Sequence, residues 1–389
     1  MDALRAPALA TGEIDQLAWR IGAEVAGPAA AEVDERARFP EEALAAMRDA
    51  RLLSALVPRA LGGLGASVSE VAGAVRALAA HCASSALVLA MHSIEVGNLV
   101  RFGTTGALPD LLAEIADTQL LLANANSEVG IGGDVSRSLC ALEPGVEGYV
   151  LDKQALAISY GAYADAIVTI ARRGPEAAET DQVMVVCRSS DLTLEPLSSW
   201  DTIGLRGTCS QGYRLIARVD PKLVFPVPFA TIAARGAGQL RQILLSAAWV
   251  GLAEAAAEQA HAAVRKAARR DTSTVPPAAL RFSELLVTVQ EARSMLAASA
   301  AWYEAVKDDE RVEGADLAVQ LRNLKVSTSR LAVDAARGAL EICGIEAFRR
   351  DSPLSLDRIL RDAHGGLVMV SNDRYLRDNA SVLRGARAI

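Results

Sequence analysis

The sequence predicts a mainly α protein with a central β domain: a helical N-terminal domain over 1–117, a small antiparallel β barrel or sandwich over 118–231, and a C-terminal four-helix bundle over 232–389. Three observations lead there. The chain of 389 residues is 51% AVILMFWYC but only 4% aromatic, so its core is aliphatic, and much of it is alanine. Alanine is the best helix former because it loses no side-chain entropy. Both ends of the chain carry a 3.6-residue apolar period, whereas the middle carries short β-type runs between turn residues.

Each element follows from the same signals. Ile14, Leu17, Ile21 and Val25 recur at three- and four-residue steps, which predicts a helix over 13–37. Pro40 suits the first turn of the next helix, which runs to about Leu53. A glycine-rich connection follows at 57–65, and Ser67 or Ser69 caps a helix to about Cys82. Further helices are expected over 84–102 and after Pro109. Strands are expected at 120–124, 138–142, 148–151, 166–171, 183–187, 192–194 and 213–219. No helical crossover separates them, which favours antiparallel pairing. Four long helical segments at 234–269, 276–307, 314–343 and 356–383 have short joins, the pattern of an antiparallel bundle.

Charge and composition exclude several functions. The net charge of −7 argues against a nucleic-acid partner, which needs a basic face. The basic run from Arg265 to Arg270 suits either a phosphate contact or a solvated helix end. Five scattered cysteines and four histidines show no metal-ligand spacing, so no metal is expected, and reduced thiols fit a cytoplasmic protein. No charge-free apolar run is long enough to cross a membrane, and Met1 to Asp15 lacks the pattern of a signal or transit peptide.

Five local segments carry chemistry. Leu61 to Gly65 is a glycine-rich turn before a helix, and Val88 to Gly103 contains His92, read as a structural side chain. Asn124-Ala-Asn-Ser127-Glu-Val-Gly-Ile-Gly-Gly-Asp134 is a second glycine-rich turn within the β region. Ala157-Ile-Ser159-Tyr-Gly161, followed by Ala164-Asp165, comes about 32 residues after Ser127. Trp200-Asp-Thr-Ile-Gly-Leu-Arg206-Gly-Thr-Cys-Ser210 has the core Gly-X-Arg-X-Thr-X-Ser. In this order, over nearly the whole chain, these segments resemble the acyl-CoA dehydrogenase family.

The resemblance implies bound FAD, with Ser127 and Ser159 at the isoalloxazine and Asn124 and Asn372 as further cofactor-binding positions. Fixed hydrogen-bond donors there stabilise the charge that a reduced flavin gains. Arg269 (or Arg270) is the candidate for the FAD pyrophosphate of a neighbouring subunit, and Arg206 and Ser210 lie on the substrate side. Glu341 falls where the family has a glutamine near the pyrophosphate, and its charge would repel that group. The resemblance also implies a homotetramer or dimer, and a substrate that is an acyl-CoA or an acyl-carrier thioester. The electron acceptor is left open.

One departure has chemical weight. The family uses a glutamate to take the α proton of the thioester, but Val370 stands at that position and Arg241 at the alternative one. Neither accepts a proton. Asp373 is the nearest carboxylate, one helical turn beyond Val370, and becomes the candidate base. The leading reading is FAD-dependent α,β-dehydrogenation of an acyl thioester. The alternatives are a flavin-dependent monooxygenase on the same fold, with His364 alone where paired histidines are expected, and a non-catalytic thioester-binding relative.

Overall fold

The structure, a computed structural model, describes residues 12–270, 275–309 and 314–384. Helices α1 (Glu13–Ile21), α2 (Gly27–Glu35), α3 (Glu41–Asp49), α4 (Val68–Ala79), α5 (Ala83–Phe102) and α6 (Leu108–Thr118) build the first part. The helix expected over 13–37 is interrupted, because residues 22–26 widen into a π-turn between α1 and α2. Ser67 is the cap of α4. Its hydroxyl accepts from Glu70 N at 3.2 Å, and the Glu70 carboxylate accepts from Ser67 N at 2.8 Å. This reciprocal pair satisfies two donors that a bare helix end leaves open. Helix α5 is apolar enough to resemble a membrane span, yet it is buried on nearly every side. Such a helix forms the centre of a core.

Eight strands form the middle: β1 (Leu122–Asn124), β2 (Glu143–Pro144), β3 (Tyr149–Ala155), β4 (Ala166–Arg172), β5 (Gln182–Arg188), β6 (Leu192–Pro196), β7 (Tyr213–Val219) and β8 (Val224–Pro228). They make two four-stranded sheets, ordered β1-β4-β5-β8 and β2-β3-β7-β6. Pairing is antiparallel except between β1 and β4, where Leu122 faces Ala166 in a parallel register. Two strands differ from expectation for physical reasons. The run 138–142 makes only an isolated parallel bridge, Ala141 to Arg172, because Leu139 N and Cys140 N donate to the buried Glu128 carboxylate instead of a neighbouring strand. Strand β8 holds Pro226 and Pro228, which discourage a strand reading, but it lies at a sheet edge, where a missing N–H is tolerated.

After a short α7 (Phe229–Ile232) and a π-turn over 233–237, the chain enters the bundle: α8 (Gly238–Arg270), α9 (Ala278–Val306) and α10 (Gly314–Cys343). A short α11 (Ile345–Phe348) leads to α12 (Asp357–Val368) and α13 (Asn372–Leu383). Helix α8 is central, packed on α4 and α5 on one side and on α9 and α10 on the other. Fully buried Ala248, Ala253 and Ala256 of α8 and Ala332, Ala335 and Ala336 of α10 let the helices approach closely. Gly251 has no room for a side chain, since a Cβ there would lie 2.3 Å from Arg76 O on α4.

The helix expected over 356–383 is broken at residues 369–371, where Val370 adopts φ 50°. A β-branched residue in this region carries strain of about 1–3 kcal/mol. Lys325 of α10 holds the break. Its buried ammonium donates to Gly366 O at 2.8 Å, Val370 O at 2.7 Å and Asn372 Oδ1 at 2.8 Å. Three acceptors call for three N–H donors, and the cation also faces the negative end of the α12 dipole.

Candidate functional site

Three separate segments of the β domain meet beside α5. The Ser127 hydroxyl donates to Ala157 O at 3.1 Å and accepts from Ala157 N at 3.2 Å, which joins the two loops. Ser210 Oγ donates to Ser159 Oγ at 2.8 Å and lies 2.8 Å from Thr208 Oγ1, forming a chain of three hydroxyls. Backbone bonds fix their registers: Ile158 N to Gln211 O at 2.9 Å and Tyr160 N to Thr208 O at 2.7 Å. Tyr160 anchors the middle segment from behind, its buried hydroxyl donating to Leu122 O at 3.1 Å. Beside Ser127, the side chain of buried Asn126 has both amide atoms without a partner. Buried amide atoms left open in this way invite a polar ligand.

The glycine-rich loop beyond Ser127 is tied to the bundle. Arg374 of α13 donates to Gly132 O at 2.9 Å and also to Gly133 O. Gly133 adopts φ 77°, and a Cβ there would collide with the Arg374 guanidinium. Asn372 is committed elsewhere, bound to Lys325 and Ser329 inside the helix break. Asp373 is exposed on the first turn of α13 and makes no hydrogen bond or ion pair among the described residues. It serves the positive end of that helix and does not join the serine cluster.

Arg206 clamps its loop to α2: it donates to Asp34 O at 2.8 Å, Thr202 O at 2.8 Å and Asp201 Oδ1 at 3.0 Å. Next to it, Asp362 accepts from Leu205 N at 2.6 Å, and burial raises its pKa to about 6. His92 is structural, as the sequence suggests. Its Nδ1 accepts from Leu122 N at 3.0 Å while Nε2 donates to Leu53 O at 2.6 Å, and burial lowers its pKa to about 4.

Sequence reasoning missed Glu95. This residue of α5 is 1% exposed and accepts from Asn124 Nδ2 at 2.5 Å and Asn98 Nδ2 at 3.1 Å. Asn124 Oδ1 in turn accepts from Asn126 N at 3.2 Å, so Glu95 is two hydrogen bonds from the Ser127 loop. Burial raises its pKa to about 7, opposed by Asn98, the Arg241 charge and Asn124. The one available signal was a lone acid within the stretch 84–100, which holds no other Asp, Glu, Lys or Arg.

The sequence matches two family profiles: the acyl-CoA dehydrogenase N-terminal domain over residues 13–136 and the C-terminal domain over 233–369. The chain belongs to the acyl-CoA dehydrogenase family. A probable acyl-CoA dehydrogenase of Mycobacterium bovis is 25% identical over 350 residues, covering 86% of this chain and 85% of that one. A probable FMNH2-dependent monooxygenase of Pseudomonas putida is 26% identical over 363 residues, 89% of each chain. Among solved structures, FMN-bound TdsC of Paenibacillus sp. A11-2 superposes with a TM-score of 0.83 at 20% identity, over 96% of this chain and 97% of that one.

Members of the acyl-CoA dehydrogenase family are flavoprotein oxidoreductases, and the residues here fit a flavin. The hydroxyl chain, the joined loops and the open Asn126 amide offer a polar edge for a planar ring. A second feature lies at the far end of α8, where Arg265, Lys266 and Arg269 line an open groove of about 390 Å³. The Arg270 side chain lies outside the described residues. No carboxylate stands at either of the family's base positions. Val370 is fixed in the helix break, and Arg241 reaches both Glu95 and Tyr375 electrostatically.

Proposed function

We propose that this chain binds FAD and catalyses α,β-dehydrogenation of an acyl thioester carried on CoA or on a carrier protein. The joining of the Ser127 loop to Ala157, two residues before Ser159, together with the hydroxyl chain of Ser159, Ser210 and Thr208, carries the reading. When bound, the flavin supplies the acceptor for the hydride that leaves the β carbon. Ser127 and Ser159 would orient the ring, with Asn124 and Asn126 shaping the loop beside it. Ser210 holds Ser159 in place. Arg269, with Arg265 and Lys266, would meet the pyrophosphate of a neighbouring subunit.

That role requires an assembly, and the bundle supplies apolar surface for one. Ile345 and Phe348 of α11 are 69% and 72% exposed, and Leu280 and Val287 of α9 are exposed as well. Covering such side chains favours a dimer or tetramer in the cytoplasm. Light scattering at micromolar concentration is expected to give two or four times the chain mass, and a monomer would remove Arg269 from the cofactor site.

A monooxygenase reading draws on Val370 and Arg241, because a flavin that activates oxygen needs no α-proton base, and on the Pseudomonas putida relative. Anaerobic mixing with a panel of acyl-CoAs separates the two. Bleaching of oxidised flavin by a saturated acyl-CoA supports the dehydrogenase. Absence of bleaching, with oxygen consumption when reduced flavin and an aromatic or sulfur substrate are supplied, replaces it with the monooxygenase.

A further inference from the structure

Five carboxylates are buried among the described residues: Asp15, Asp34, Glu95, Glu128 and Asp362. Four have a cation within 4.0 Å: Arg76 for Asp15, Arg361 for Asp34, Lys153 for Glu128 and Arg358 for Asp362. Glu95 has none at that distance, and its oxygens meet side-chain amides rather than backbone N–H groups. A buried ionised carboxylate normally demands a close counter-charge or several hydrogen bonds. Glu95 therefore favours its protonated form, and burial raises its pKa to about 7. That is where a group both takes and returns a proton readily.

Its placement adds the second part of the argument. Asn124, which donates to Glu95, opens the loop that carries Ser127, and the same Asn124 organises Asn126. Arg241 of α8 attracts Glu95 electrostatically, and no ion pair within 4.0 Å joins the two among the described residues. The other titratable group facing it is Tyr160, whose own pKa burial raises well above the usual value, so it stays neutral. Around this seam, Asn98 Oδ1, Gln242 Oε1 and the Asn126 amide are buried without partners. Asn126 Nδ2 is a donor left for a carbonyl oxygen.

We propose that Glu95 is the proton acceptor of this site, taking the α hydrogen of a bound acyl thioester as a proton. The proposal rests on the dehydrogenase reading. The α C–H bond breaks and an O–H bond forms on the Glu95 carboxyl group. The β hydrogen leaves with its electron pair to the oxidised flavin, which is thereby reduced. The thioester is oxidised to the α,β-unsaturated thioester, and Glu95 releases its proton to solvent after product leaves. Arg241 favours the ionised carboxylate before transfer without neutralising it in a contact pair.

Exchange of the α hydrogen tests this apart from flavin reduction. Flavin-loaded protein is incubated with saturated acyl-CoAs in D2O, and deuterium entry at the α carbon is read by mass spectrometry. The wild-type protein is expected to exchange, and Glu95→Gln to lose at least about 100-fold of that rate while still binding flavin and acyl-CoA. Glu95→Asp, which keeps a carboxylate on a shorter arm, is expected to retain part of the rate with its rise through neutral pH; it carries the test if Glu95→Gln does not fold. Exchange in Glu95→Gln within about threefold of wild type overturns the assignment of Glu95 alone. Neither exchange nor bleaching in wild type with any thioester overturns the dehydrogenase reading and this inference with it.

Discussion

Glu95 and Glu128 are both buried glutamates, and their surroundings differ in kind. Glu128 lies in the β domain, where it accepts from Ser138 Oγ at 2.7 Å, Leu139 N at 3.2 Å and Cys140 N at 2.8 Å, with Lys153 Nζ at 3.8 Å. Every lone-pair direction has a use, and these hydrogen bonds hold 138–140 out of the sheet. Glu95 lies in the helical seam with two amide donors and a cation that stays out of contact. The saturated carboxylate builds structure, whereas the under-partnered one keeps an option to change protonation state. The two buried lysines repeat the contrast. Lys153 shares Glu128, while Lys325 has no carboxylate among its hydrogen-bond partners and spends all three donors on the break that fixes Val370.

Removing either glutamate charge tests this contrast, and the signs are expected to be opposite. Glu128→Gln leaves Lys153 buried without its counter-charge and is expected to cost about 3–5 kcal/mol in denaturant unfolding. A loss under about 1 kcal/mol would place Glu128 among ordinary surface pairs. Glu95→Gln is expected to stabilise the protein at high pH. The folded pKa of Glu95 is raised from 4.5 to about 7, so its favourable contribution is complete below 4.5 and lost as pH rises through 7. The expected gain is about 3 kcal/mol at about pH 8, shrinking towards zero near pH 4.5. A gain that does not change with pH would mean that Glu95 titrates normally. The smallest effect belongs to the strained break: Val370→Gly relieves φ 50° but loses side-chain packing, with a net gain of about 1 kcal/mol expected in the same unfolding measurement.

The serine cluster was legible because each of its parts is a short contiguous segment. Ser127, Ser159 and Ser210 could be named from local motifs, and packing then brought them together. Glu95 was not legible, since its role depends on Asn124 and Arg241 from two other elements. Asp373 misled for the same reason. A continuous helix over 356–383 places it one turn beyond Val370 on a face near the base position, but the break at 369–371 re-aims it to solvent. The break itself depends on Lys325, some 45 residues earlier on another helix. Asn372 likewise turned inward to Lys325, and Arg206 towards α2. Fold class followed from composition and period, which every turn of helix repeats; strand 138–142 failed where one side chain outcompeted the ladder.

The pH dependence of flavin reduction tests the account most directly. Flavin-loaded protein is mixed anaerobically with a saturated acyl-CoA over about pH 5 to 9, and the loss of oxidised-flavin absorbance gives the rate. If Glu95 must be ionised, the rate rises about tenfold per pH unit at low pH and levels off above about 7, and Glu95→Gln abolishes the rise together with the reaction. A rate that is flat across this range, or a rise that survives in Glu95→Gln, would contradict it.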